Sequence, residues 1–176
     1  MIYIVVLNWN GAIDTINCVK SLMDLNVSDY KIIIVDNCSM DNSYDTIKEN
    51  LNSLYIADKS IIEVKYEDRN KYKTLENDKI ILIQSPQNNG YASGNNIGIE
   101  FALNQENMKY VWVLNNDTEV DKEALTHLIS KCDSDKSIGI CGSRLVYFAD
   151  REMQQGLGGV HNKWLCTTKN YEMGRL

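Results

Sequence analysis

Val111-Trp112-Val113-Leu114-Asn115-Asn116-Asp117-Thr118-Glu119-Val120 is a run of apolar and β-branched residues that stops at two amides and a carboxylate. The pattern predicts a buried strand from about Lys109 to Leu114, with Asn115, Asn116 and Asp117 at its C-terminal end. In an open α/β sheet, ligands bind beyond that end of the strands. A hard oxygen donor there suits a divalent cation that is itself holding phosphates. Trp112 alternates within the strand and is expected in the core.

Working outward, the same design recurs upstream. Ile2 to Leu7 is a continuous apolar run of the kind covered on both faces, and it ends at Asn8-Trp9-Asn10-Gly11. Tyr30 to Val35 ends at Asp36-Asn37. Lys79 to Ile83 leads into Gln84-Ser85-Pro86-Gln87-Asn88-Asn89-Gly90, a loop dense in turn-forming residues. Helical spacing lies between these runs. It shows in Ile13, Ile16, Val19, Leu22 and Met23, and again in Tyr44, Ile47, Leu51 and Leu54, with Ser39 or Asp41 as the cap. A third helix is expected from Tyr91 to Leu103, where Ala92, Ser93 and Gly94 let backbone approach a ligand closely. A fourth, from about Lys122 to Cys132, carries Ala124, Leu125, Leu128 and Ile129 on one face.

This alternation predicts an α/β fold: a mostly parallel sheet with right-handed crossovers and helices on both faces. Residues 55–79 read as an insertion, within which Ile61 to Tyr66 alternates like a strand. Ile138 to Ser143 and Arg144 to Phe148 read as one or two further strands, and the chain from Ala149 onward lacks periodicity.

In a parallel sheet, the four polar strand ends share one edge. Together they offer a carboxylate for a base or ribose, an aromatic ring, a loop and helix N-terminus for phosphates, and a metal ligand. Each has a plainer reading. Asp36-Asn37 can cap the next helix, Asn8 and Asn10 can be turn residues, Gly90 and Gly94 can serve turn geometry and packing, and Asp117 can cap the helix after it.

Composition removes several classes. The net charge is −6 with no basic cluster, which speaks against nucleic acid as a partner. Backbone amides and a metal can still carry a phosphate charge. The five cysteines are odd in number and form no CxxC pair, so neither a disulfide framework nor a zinc site is expected, and a reduced cytoplasmic compartment fits. No apolar run approaches the roughly 20 residues of a membrane span, and the N-terminus lacks the layout of a signal peptide. There is no GxGxxG after the first strand and no GxxxxGK[ST]. His127 and His161 are isolated and make neither a metal site nor a hydrolytic pair.

Four segments in order resemble the family 2 nucleotide-sugar glycosyltransferases of GT-A fold, and within them the rhamnosyltransferase-like bacterial group. They are Val5-Val6-Leu7-Asn8-Trp9-Asn10-Gly11, Val35-Asp36-Asn37-Cys38-Ser39-Met40-Asp41, Asn88-Asn89-Gly90-Tyr91-Ala92-Ser93-Gly94-Asn95-Asn96-Ile97-Gly98 and Leu114-Asn115-Asn116-Asp117-Thr118-Glu119-Val120. The resemblance implies a GT-A (Rossmann-like) nucleotide-sugar-binding core over residues 1–148, with 149–176 beginning an incomplete acceptor-side region. Asn8 and Trp9 would border the nucleotide. Asp36 would hydrogen-bond the base, with Asn37 beside it. Asn88, Gly90, Asn95 and Asn96 would line the ribose and diphosphate. Asn115-Asn116-Asp117 stands where the family has Asp-x-Asp. Asp117 would bind Mg²⁺ or Mn²⁺ on the diphosphate, while Asn115 replaces the first acid and leaves one carboxylate fewer.

The implied activity is inverting transfer of a sugar from a UDP- or dTDP-sugar to a glycan or lipid-linked acceptor, in bacterial surface polysaccharide synthesis. The setting would be the cytoplasm, with peripheral association at the inner face of the membrane. The family's catalytic base comes from a downstream segment resembling Phe-x-x-x-x-Glu-Asp. No such segment precedes Leu176, so the base is expected beyond residue 176 and the C-terminal part is expected to be truncated. A non-catalytic nucleotide-sugar-binding module is the alternative. A nucleotidyltransferase on a related sheet should carry a Gly-rich, basic loop after the first strand, which Asn8-Trp9-Asn10-Gly11 is not.

Overall fold

The continuous apolar runs become parallel strands in the computed structural model, which describes residues 1–54, 60–156, 158–170 and 174–175. In chain order the first elements are β1 (Ile2–Asn8), α1 (Ala12–Met23), β2 (Tyr30–Asp36), α2 (Ser43–Leu54), β3 (Ser60–Val64), β4 (Asp78–Gln84), α3 (Tyr91–Leu103) and β5 (Tyr110–Asn115). The strands form one sheet in the order β3-β4-β2-β1-β5, and every pairing in it is parallel. The α/β fold with a parallel sheet is therefore as the sequence predicts.

Register explains why the polar strand ends matter together. Asn8 lies opposite Asp36, Asp36 opposite Gln84, and Leu7 opposite Asn115. The apolar runs stop at the same level, so their polar continuations share one edge of the sheet.

Packing follows the period-2 alternation of strands. Tyr3, Val5, Leu7, Ile33, Val35, Ile81 and Ile83 join Ile97, Phe101 and Ala102 of α3 in one buried cluster. Ile4, Val6, Ile32 and Ile34 alternate to the opposite face and are fully buried there, on the side where α1 meets β1. Gly98 lets α3 approach this closely, because a Cβ added there would stand 2.6 Å from Val5 Cγ1.

Several expectations are corrected. The strand of the opening stretch, β5, is not buried on both sides. It is a sheet edge in which Trp112 is only half-buried, Val113 is exposed and Leu114 alone is buried. On α1, Ile13 is 66% exposed and Thr15 takes the buried position instead, on the same stripe as Val19 and Leu22. Part of the expected insertion belongs to the sheet: β3 pairs with β4 at the other edge. Its half-exposed position accounts for the weak apolar signal of that stretch. The polar chain that follows is pinned by Lys31, whose buried ammonium donates to the carbonyls of Leu75, Glu76 and Asp78. Residues 55–59 lie outside the described residues.

The chain forms two compact units, Met1–Val120 and Asp121–Leu176, so the expected 1–148 core takes in the first unit and part of the second. The second unit holds α4 (Ala124–Ser134), β6 (Leu145–Val146), β7 (Met153–Gly156), β8 (Gly159–Asn162), β9 (Thr167–Asn170) and β10 (Gly174–Arg175). β10, β7 and β6 pair antiparallel, and β8 pairs antiparallel with β9. Only Leu145 and Val146 of the stretch expected as strand from Ile138 to Phe148 are extended in a ladder. The tail that lacked periodicity carries short strands. No helix among the described residues is long and apolar enough to cross a membrane.

Candidate functional site at the strand ends

Asp36 ends β2 with its side chain fully buried. A buried carboxylate needs donors to replace water. Four supply that need: Asn8 Nδ2 donates to Oδ1 at 2.7 Å and Ser39 Oγ at 2.6 Å, while Ser39 N donates to Oδ2 at 3.1 Å and Gln84 Nε2 at 3.4 Å. Asn8 is equally buried, and its Oδ1 accepts from Thr15 Oγ1 at 2.8 Å. Thr15 Oγ1 in turn accepts from Asn116 Nδ2 at 3.1 Å. A polar chain thus runs along the edge through Gln84, Asp36, Asn8, Thr15 and Asn116, joining the ends of β4, β2, β1 and β5.

Asp36 and Asn8 are both fully buried, and each is engaged in this chain. Trp9, next along from Asn8, is 53% exposed and is the residue of that pair that meets solvent. Ser39 also serves the chain rather than capping α2, and Asp41 accepts from Ser43 N at the start of that helix at 2.9 Å. Asn10, with φ of 51°, ties the two loops together: its N donates to Ser39 Oγ, and its Oδ1 accepts from Met40 N.

A second cluster surrounds the N-terminus of α3. Asn37 Nδ2 donates to Asn88 Oδ1 at 2.9 Å and to the Gly90 carbonyl at 3.4 Å, and Gly90 N also donates to Asn88 Oδ1. Gly90 precedes the helix with φ of 87°, a conformation that favours glycine. No side chain caps α3, which leaves its first-turn N–H groups without a side-chain acceptor, the kind of helix end that suits an anion. Asn95, in that turn, donates to the Tyr91 carbonyl at 3.0 Å. The Oδ1 atoms of Asn37 and Asn95 are buried without a hydrogen-bond partner among the described residues. Buried polar atoms rarely stay unpaired, which singles out these two oxygens. Asn88, Gly90 and Asn96 are exposed.

The end of β5 completes the edge. Tyr91 Oη donates to Asn115 Oδ1 at 2.6 Å, joining the start of α3 to β5. Asn116 is committed to Thr15 and to the Gly11 carbonyl. Asp117 is exposed, and its carboxylate accepts no hydrogen bond among the described residues. No side chain caps α4, and Asp121 accepts from Glu123 N at 2.8 Å just before it. Asp117 and Glu119 stand close enough to Cys18 to reinforce the effect of burial, which pushes that thiol up to about 12.

Asn115 Oδ1 accepts from Tyr91, and the Asn116 amide nitrogen donates to Thr15 and to the Gly11 carbonyl, so the Asp117 carboxylate is the charged oxygen donor of the three. No group of three or more His, Cys, Asp or Glu side chains that could hold a metal occurs among the described residues. A single hard carboxylate fits Mg²⁺ or Mn²⁺ when substrate phosphates and water supply the other oxygens, as is usual for Mg²⁺ at phosphate sites. Beyond the ends of β3 and β4, an open cleft of about 510 Å³ is lined by Tyr44, Glu63, Tyr66, Gln84 and Pro86 among others. Gln84 belongs both to that lining and to the Asp36 network. Thr15, Gln84 and Tyr91 were missed as site residues in the sequence. The available signal was Thr15 itself, a hydroxyl on the apolar stripe of α1.

The parallel order and the shared polar edge define a Rossmann-like α/β domain of GT-A type. The family model for glycosyl transferase family 2 matches residues 3–156, and the chain belongs to that family. It is similar to the low-salt glycan biosynthesis hexosyltransferase Agl10 of Haloferax volcanii, at 33% identity over 106 residues, covering 58% of this chain and 32% of the relative. Its fold is shared by the mannosyltransferase PcManGT of Pyrobaculum calidifontis in complex with GDP-Man and Mn²⁺. The TM-score is 0.56 at 12% identity, over 78% of this chain and 33% of that one. It is shared too by S. aureus TarS residues 1–349 in complex with UDP-GlcNAc, with a TM-score of 0.53 at 14% identity, over 76% and 31% of the two chains. The chain spans about a third of the length of these relatives.

Proposed function

We propose that this chain is the donor-binding part of an inverting glycosyltransferase that takes a nucleoside diphosphate sugar. The observation that supports this best is the single sheet edge on which an inward polar chain braces three ligand-facing features. These are the exposed Trp9 ring, the Asn37–Asn88–Gly90 cluster at the open end of α3, and the exposed carboxylate of Asp117, which accepts no hydrogen bond among the described residues.

In this reading Trp9 borders the nucleotide. Asn37, with its orphaned amide oxygen, takes the base-side hydrogen bond, while Asp36 and Asn8 hold that residue's strand in place. Asn88, Gly90, Asn95 and Asn96 line the ribose and diphosphate, where the uncapped helix end favours negative charge. Asn115 and Asn116 shape the turn that presents Asp117, and Asp117 holds Mg²⁺ or Mn²⁺. When bound, the cation stabilises charge on the departing diphosphate. The acceptor is a glycan or a lipid-linked sugar in surface polysaccharide synthesis, reached from the cytoplasmic side of the membrane. The relatives support the substrate class: by their names one acts in glycan biosynthesis, and two are seen with UDP-GlcNAc or GDP-Man. The donor nucleotide of this chain is a UDP- or dTDP-sugar.

Calorimetry with UDP, dTDP and GDP, with and without Mn²⁺, tests the reading. Micromolar binding of UDP or dTDP that tightens with Mn²⁺ supports it. No binding of any of the three overturns it.

A further inference from the structure

Thr15 is fully buried on α1, beside Ile16, Val19 and Leu22. A hydroxyl on that apolar stripe is unfavourable unless it is hydrogen-bonded. Here it is bonded on both sides. Its proton is shared between Asn8 Oδ1 at 2.8 Å and the Gly11 carbonyl at 3.0 Å, and its oxygen accepts from Asn116 Nδ2 at 3.1 Å. Thr15 therefore connects the buried end of β1 to the end of β5, one residue before Asp117.

The fit around Asn116 is close. A Cβ added at Gly11 would stand 2.7 Å from Asn116 Nδ2, so the amide packs directly on the start of α1. The Asp117 carboxylate accepts no hydrogen bond among the described residues. Its placement depends on the turn that carries it; Tyr91 holds that turn at Asn115 and Ser21 at Val120, and the contact nearest Asp117 is that of Asn116 with Thr15 and Gly11.

We propose that Thr15 is a positioning residue: acting through Asn116, it sets Asp117 for the cation that bridges protein and diphosphate. This deepens the donor-site reading above and rests on it. A hydroxyl in this role is replaceable by Ser, which keeps the oxygen, and not by Val, which keeps the shape and loses it.

The test compares Thr15→Val and Thr15→Ser with the parent chain, by calorimetry with UDP, dTDP and GDP in the presence and absence of Mn²⁺. Thr15→Val is expected to lose at least about five-fold of the Mn²⁺-dependent gain in affinity, while binding of the nucleotide without metal changes less than about two-fold. Thr15→Ser is expected to retain the gain. A general structural role would weaken both conditions alike, and that outcome overturns the proposal. So does a Thr15→Val chain with the parent's full Mn²⁺-dependent gain. If Thr15→Val fails to fold by circular dichroism, Asn116→Ala removes the same hydrogen bond from its other end, together with the one to the Gly11 carbonyl, and is read by the same split. A parent chain that binds none of the three nucleotides overturns the donor-site reading, and the proposal with it.

Discussion

Asn8 Nδ2 donates to Asp36 Oδ1 at 2.7 Å, between residues that lie opposite each other at the ends of adjacent parallel strands. Both side chains are fully buried. The strand-end acid is thus tied into the frame, and in the proposed reading the nucleotide contacts fall to Trp9, which is exposed, and to Asn37, which is itself buried but whose Oδ1 has no partner among the described residues.

Replacing Asn8 by Leu removes a charge-assisted hydrogen bond and leaves a buried carboxylate short of a donor. The loss is expected at about 3 kcal/mol of stability. Urea denaturation of parent and variant measures it, and an unchanged midpoint would show that Asp36 is satisfied without Asn8.

Asn37→Ala and Asp36→Asn should separate binding from bracing. The first is expected to weaken nucleotide binding by about ten-fold, equivalent to about 1.4 kcal/mol, with a smaller loss of stability than the second. The second should lower the unfolding midpoint foremost. Calorimetric titration and thermal melts on both variants give the comparison, and the reverse ranking would return the ligand-facing role to Asp36.

The glycines of α3 offer a packing test. A Cβ at Gly98 meets Val5 Cγ1 at 2.6 Å and Val35 Cγ2 at 3.3 Å, and β-branched valines have little rotamer freedom to yield. A Cβ at Gly94 meets Leu7 Cδ1 at 2.5 Å, the mobile tip of a longer side chain, and Asn37 Cγ at 3.1 Å. Gly98→Ala is expected to cost about 2 kcal/mol by overpacking, and Gly94→Ala less. Gly94→Ala should instead disturb nucleotide binding, because it crowds Asn37. Chemical denaturation beside calorimetry resolves the two effects.

Much of this was legible from residues. The apolar runs ending at Asn8, Asp36 and Asn115 located β1, β2 and β5 to within a residue or two; β1 and β2 are covered on both faces, which leaves a continuous signal, while β5 is an edge whose run of apolar and β-branched residues carried it. β3 was read as part of an insertion because Glu63 and Lys65 interrupt its pattern, as suits an edge. The inward role of Asp36 was not legible: a carboxylate at a strand end reads alike whether it meets a ligand or a neighbouring amide. Thr15 could be seen only by asking why a hydroxyl occupies a buried helix position, and the short ladders after Leu145 are too brief to establish a period.

Alkaline pH should weaken the fold. Burial, with Asp117 and Glu119 adding to it, pushes the Cys18 thiol up to about 12. Burial also raises the hydroxyls of Tyr3 and Tyr44 above the ordinary tyrosine value. The folded chain keeps these protons while the unfolded chain releases them, so their contribution is complete below the unfolded values and falls as pH rises through the folded ones. Lys31 acts in the opposite sense, because burial lowers its ammonium and the folded chain gives up that proton first. The hydroxyl of Tyr72 is raised by burial as well, so the raised groups outnumber Lys31, and the melting temperature is expected to fall steadily above about pH 9, near the unfolded cysteine value. Melts across the pH range measure it, and a melting temperature constant to pH 11 would contradict it.

The most direct measurement concerns Asp117. Calorimetry of the parent chain and of Asp117→Ala with the same nucleoside diphosphate, with and without Mn²⁺, isolates the cation's share of binding. The parent should bind at least about ten-fold more tightly with Mn²⁺, and Asp117→Ala should show the same weak affinity in both conditions. An Asp117→Ala chain that keeps the parent's Mn²⁺-dependent gain would contradict the placing of the metal–diphosphate site at this strand end.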